Sequence, residues 1–108
     1  MQIKFLDETK ADLRWFKQYY SQVFPAGRTK ADQQFRALLI LLKSEPHVGR
    51  QEEEWPGVFE YVIPGIPFTV LYRIKDETIE IMRLYDQRSE FSNERKPSVP
   101  ISVRQLTG

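Results

Sequence analysis

Along this chain the spacing of apolar residues changes from two to about 3.6 and back to two. Residues 2–6 (Gln-Ile-Lys-Phe-Leu) alternate polar and apolar side chains, which predicts a short strand pairing at the edge of a sheet. The string Thr9-Lys10-Ala11-Asp12 follows and returns as Thr29-Lys30-Ala31-Asp32. In each copy a threonine stands three residues ahead of an aspartate. The hydroxyl is expected to cap a free backbone N–H while the carboxylate faces the positive helix end, so both copies predict helix starts. Leu13, Phe16, Tyr20 and Val23 then recur at helical spacing, with Trp15 and Tyr19 widening the stripe, until Phe24-Pro25-Ala26-Gly27 closes the first helix. Ala31, Phe35, Leu38, Leu39 and Leu42 carry the same period in a second helix, which Pro46 ends by disfavouring helical geometry at Glu45. Two antiparallel helices with a short connection result. Their apolar stripes are most simply core packing, with Trp15 and Tyr19 the expected exceptions.

Residues 46–57 show no period. The run Gln51-Glu52-Glu53-Glu54 predicts a solvated loop because adjacent like charges gain little from burial, and His47 is expected at the surface or at a helix cap. After Gly57 the period returns to two. Val58–Ile63, Phe68–Lys75 and Ile79–Tyr85 are predicted strands, joined by turns at Pro64-Gly65-Ile66-Pro67 and Lys75-Asp76-Glu77-Thr78. Phe68, Val70, Tyr72 and Ile74 share one face of the second strand, Arg73 takes the other, and Arg83 shares a face with Tyr85. The third strand is rich in β-branched and aromatic residues, which suits an interior position. From Asp86 onward periodicity fades. A short turn at Ser89–Glu94 is expected, and Ile101, Val103 and Leu106 fit either an edge strand or a tail over 97–108. The fold class is α+β, a two-helix hairpin on a small, mostly antiparallel sheet forming one domain over 1–108.

Composition narrows the function classes. The 108 residues suffice for one core but not two. With no cysteine and one histidine, a disulfide framework and a thiolate metal site are excluded, and a reducing cytoplasm is the expected compartment. No stretch has the length of a membrane span, and the acidic residues close behind the N-terminal apolar run do not fit a signal peptide. The net charge of +1 provides no overall field for nucleic acid. No GxGxxG, Walker, GxSxG or HExxH motif occurs, and Gly57 and Gly65 beside prolines are turn residues. The residues with chemical potential are Arg73, Arg83, Tyr85 and Arg88. Guanidinium groups grip phosphate in a fork, and a phenol beside them can hydrogen-bond a reacting hydroxyl. On a strand such arginines equally well pair with neighbours such as Glu60 and Glu80.

The order of parts, with KADL opening the first helix, LLKSEPHVG closing the second and IPFTVLYRIKDETIEIMRLYDQR across the sheet, resembles the RelE/ParE superfamily of toxins from bacterial type II toxin–antitoxin systems. The RelE branch implies a ribosome-dependent mRNA endoribonuclease without a metal, for which Arg73, Arg83, Tyr85 and Arg88 would be the candidate set. This sequence departs from that pattern. Its first meander strand has neither lysine nor arginine, Thr69 stands where an arginine is expected, and beyond Arg88 the chain offers Phe91 but no tyrosine. The ParE branch implies a non-enzymatic toxin that blocks DNA gyrase by protein–protein contact, and KADL and the strand pattern look like this branch. Arg73, Arg83 and Arg88 would then be target contacts, since arginine is enriched at interface hot spots. Either branch implies a cognate antitoxin lying along the helical hairpin, with Trp15, Tyr19, Leu38 and Leu42 as the expected contacts. Neither implies a cofactor, a metal or a membrane partner.

Overall fold

The computed structural model describes residues 1–88. Expectations for Ser89–Glu94, Phe91 and 97–108 lie outside them. Strand β1 (Gln2–Phe5) leads into helix α1 (Thr9–Gln18), which continues as a π-helical turn (Tyr19–Val23) and a 3-10 turn (Pro25–Gly27) before helix α2 (Arg28–Ser44). Strands β2 (Arg50–Gln51), β3 (Val58–Val62), β4 (Phe68–Lys75) and β5 (Thr78–Asp86) complete one sheet in the order β1-β5-β4-β3-β2. β1 pairs parallel with β5 at one edge, and every other pairing is antiparallel. The α+β expectation and the meander hold. The two-residue strand β2 was not expected. It pairs Arg50 with Glu60 and Gln51 with Phe59 inside the segment predicted to be loop.

The main core fills the space between helices and sheet. Phe16, Tyr20, Ala31, Leu38 and Leu42 meet Phe68, Val70, Tyr72, Ile79, Ile81 and Leu84 there. Phe16, Tyr20 and Phe68 pack ring against ring, with Phe16 and Phe68 edge to face at 4.9 Å between centroids. A smaller cluster of Trp55, Val58, Leu71 and Met82 covers the opposite face of the sheet. Burial corrects two sequence expectations. Leu38 and Leu42 are fully enclosed in the main core, so they offer no surface to a partner. Val23 falls in the apolar stripe of the sequence and yet is 58% exposed. The reason is the π turn, in which Phe24 N–H donates to the Tyr19 carbonyl at 2.7 Å; the wider turn rotates the following side chains away from the core.

The caps also differ from expectation. Neither helix has a side-chain hydrogen bond at its N-terminus. The Thr9 hydroxyl donates to the Ile81 carbonyl at 2.8 Å, and Asp12 accepts from the Leu84 N–H at 2.9 Å. Where β1 ends, these two side chains take over the backbone groups of the β5 edge and stitch α1 to the sheet. In the second copy of the string, Thr29 and Asp32 lie on the surface, and Asp32 makes only a 4.0 Å pair with Arg28.

One irregularity sets the chemistry of the sheet. Leu71 pairs with Arg83 and Tyr72 with Ile81, so Met82 is an extra residue in β5, a β-bulge. Ile79 and Ile81 face the helices, and strict alternation would send Arg83 and Tyr85 to the same side. The bulge moves both to the opposite face, the one occupied by Leu71, Arg73 and Glu60, while Leu84 stays in the main core.

Candidate functional site

Each candidate arginine sits opposite a carboxylate. Arg73 is half-buried and its Nε donates to Glu80 Oε1 at 2.6 Å, across the β4–β5 pair. Arg83 holds Asp12 in a fork, Nε to Oδ2 at 2.7 Å and Nη2 to Oδ1 at 3.0 Å. Arg88 does the same with Asp86, Nε to Oδ1 at 2.9 Å and Nη2 to Oδ2 at 2.8 Å. With 46% of its side chain exposed, against 27% for Arg73 and 16% for Arg83, Arg88 is the arginine a partner reaches most easily.

Arg88 also joins residues from the two expected contact sets. Its Nη1 donates to the Tyr19 hydroxyl, and its guanidinium carbon lies 4.4 Å from the centre of the Tyr19 ring, within cation–π range. Trp15 packs beside Tyr19 with the rings tilted by 53° and 5.9 Å between centroids, and it lies close enough to Asp86 to help lower that carboxyl's pKa. Trp15, Tyr19, Asp86 and Arg88 therefore form one surface cluster where α1 meets the end of β5. Burial pushes the Asp86 carboxyl up, but the hydrogen bonds from Arg88 and the nearness of Trp15 outweigh it and hold the group below the ordinary carboxylate range. Hydrogen bonding to Asp86 likewise raises the Arg88 guanidinium, so this pair stays ionised at any physiological pH.

Tyr85 does not join that cluster. On the face away from the helices its hydroxyl donates to Glu60 Oε2 at 2.7 Å, while Arg50 Nη2 reaches Glu60 Oε1 at 2.6 Å. Burial raises the Glu60 carboxyl, and these two donors more than reverse the effect, leaving it below its usual value. Thr69, at the position expected to hold an arginine, is buried and accepts a hydrogen bond from Gln87. The four-residue candidate set for a nuclease is thus divided: Arg88 stands on one side with Tyr19, Arg83 is tied to Asp12, and Arg73 and Tyr85 are each engaged by a glutamate.

The sequence alone does not point to Asp86, Asp12 or the Arg50–Glu60–Tyr85 trio. Asp86 carries a signal in retrospect, since it stands two residues before Arg88, whose side chain folds back onto it. Phe24 was expected only as a helix terminator. It is 49% exposed, and its ring lies 6.4 Å from that of Tyr19, so it extends the aromatic surface of Trp15 and Tyr19. Among the described residues no helix is long and apolar enough to cross a membrane.

Comparison with known proteins agrees with this architecture. An isolated RelE toxin from E. coli aligns over 97% of each chain with a TM-score of 0.56 at 15% identity, a likeness of fold. A structure of the chromosomal ParDE toxin–antitoxin system from P. aeruginosa aligns with a TM-score of 0.63 at 27% identity, covering 80% of this chain and 95% of that one. A search of curated protein sequences gives no match. The family model described as ParE toxin of type II toxin-antitoxin system, parDE, matches residues 3–91, which include both helices, all of the sheet but its first residue and the Arg88 cluster. This chain belongs to the ParE toxin family of type II toxin–antitoxin systems.

Proposed function

We propose that the protein inhibits bacterial growth by binding DNA gyrase in the cytoplasm, and that a cognate antitoxin neutralises it by covering the helical layer. The observation that supports this reading best is the match of residues 3–91 to the ParE family. The division of the nuclease candidates between separate carboxylate partners agrees with a binding role. Arg88 is the principal target contact in this reading, because it is the most exposed of the three arginines and stacks on an aromatic ring that orients it. Arg73 and Arg83 contribute at the margin. On the helical side Trp15 and Tyr19, extended by Phe24, provide the aromatic surface an antitoxin would cover.

The test is to induce this chain alone in growing bacteria and follow incorporation of labelled thymidine and labelled methionine over the first minutes. Thymidine incorporation should fail first while translation continues. Arg88→Ala should weaken the effect about tenfold or more while leaving the fold intact, as expected of an arginine hot spot. An early collapse of methionine incorporation would instead place the target at the ribosome and require a nuclease site. No effect on either would remove the toxin activity.

A further inference from the structure

Arg88 stands two residues beyond Asp86, the last residue of β5, yet its guanidinium is not free to swing. Asp86 is fixed by the sheet, opposite Phe68 of β4, and only 10% of its side chain is exposed. One of its oxygens accepts Arg88 Nε and the Arg88 backbone N–H, each at 2.9 Å, and the other accepts Nη2 at 2.8 Å. Tyr19 accepts from Nη1 and offers its ring to the cation. A guanidinium has five N–H groups, and these side-chain contacts occupy three of them. The remaining two, one on Nη1 and one on Nη2, have no acceptor among the described residues, on a side chain that is 46% exposed. Two N–H groups on neighbouring nitrogens are the pattern that a carboxylate or a phosphate takes with both oxygens. The surroundings select between these anions. Asp86 cancels the charge of Arg88, and the side chains beside the pair, Trp15, Tyr19 and Phe24, are aromatic. A neutral pair on an aromatic surface has no field to gather a polyanion, since nucleic acid is held by several cations acting together. It suits a single carboxylate flanked by apolar groups on a protein, where direction matters more than charge.

We propose that Arg88 is a preset fork for one Asp or Glu carboxylate of the target protein, and that Asp86 and Tyr19 are its positioning residues. The proposal rests on the reading of Arg88 as the target contact and deepens it, by naming the chemistry it meets and the two residues that aim it. Holding the side chain before binding removes the cost of ordering a long arginine at the interface. A preset fork and a plain positive charge respond oppositely to one substitution. Asp86→Asn takes away a negative charge, which strengthens a pure charge contact with an acidic partner, but it loosens the anchor and so weakens a positioned fork.

The full chain, isotopically labelled on nitrogen, is titrated with sodium acetate against sodium chloride at constant ionic strength, and the Arg88 Nε–H resonance is followed. It should shift saturably in the parent, and D86N should need about threefold or more acetate for the same shift. Y19F, which loses only the hydroxyl acceptor, should weaken the response in the same direction. A parent signal that acetate does not move, or a D86N response as tight as the parent's or tighter, overturns the proposal; if D86N does not fold, Y19F decides by the same criterion. Duplex DNA at about 0.15 M salt should leave the resonance in place, and movement there would put a phosphate in the fork and overturn the carboxylate. In growing bacteria D86N and R88K should lose growth inhibition about as far as R88A, because neither a loosened arginine nor a lysine presents the paired N–H groups. Full inhibition by either variant overturns the role at the target. A parent that inhibits nothing removes the toxin reading, and the acetate titration still decides the fork.

Discussion

Asp12 and Asp32 occupy the same place in two identical four-residue strings, yet only one of them matters to stability. Asp12 accepts from both arms of Arg83 and from the Leu84 N–H in a half-buried setting. Asp12→Ala removes both forked bonds to a partly buried guanidinium and the side-chain acceptor of the Leu84 N–H, and should cost about 2–3 kcal/mol in urea unfolding. Asp32→Ala, at a surface pair 4.0 Å long, should cost less than about 0.5 kcal/mol. The string itself cannot distinguish them, because the difference is made by β5, some seventy residues away. Glu60 provides the pH test. Its folded pKa lies below its unfolded one, so its stabilising contribution is whole above the ordinary carboxylate range and is lost as pH falls through that range to the depressed value. In Glu60→Gln the decline of the urea midpoint between neutrality and about pH 3 should be shallower than in the parent.

At the scale of elements, periodicity made both helices and four of the five strands legible, because each buries one face and the core enforces the pattern. Strand β2 left no trace. Its two residues are both exposed, and backbone pairing to β3 rather than apolar burial defines it. Nearby, the Tyr72 hydroxyl donates to the Pro46 carbonyl at 2.8 Å and accepts from the Gly49 N–H at 2.9 Å, pinning the segment after α2 to the sheet. Tyr72→Phe should cost about 1–2 kcal/mol in unfolding free energy. Gly49→Ala should also destabilise, since a Cβ there would stand 2.8 Å from the same hydroxyl and 3.0 Å from the Glu60 carbonyl oxygen. The turn between β4 and β5 is a place for gain. Asp76 and Glu77 both adopt positive φ, 52° and 58°, as a tight hairpin with the native strand twist requires. Glycine tolerates that conformation without a Cβ penalty, so Glu77→Gly should raise stability by about 0.5–1 kcal/mol, read as a higher melting temperature.

For the whole molecule, one core joins the helical layer to the sheet, and unfolding should be a single transition. Far-ultraviolet circular dichroism and tryptophan fluorescence should give coincident curves in urea. The family was visible in the sequence because the order of strings spans both layers. The Arg88 cluster was not, since it depends on where α1 and the end of β5 come to lie. The bulge at Met82 has a further consequence, for the lengths this chain can accept. Beyond that residue, β5 works like a reading frame: remove one position and Arg83 and Tyr85 would turn toward the core while Leu84 turned out. Substitution along β5 is therefore a matter of degree, whereas a one-residue deletion there is not. Natural variation between Met82 and Asp86 should change letters and keep their number.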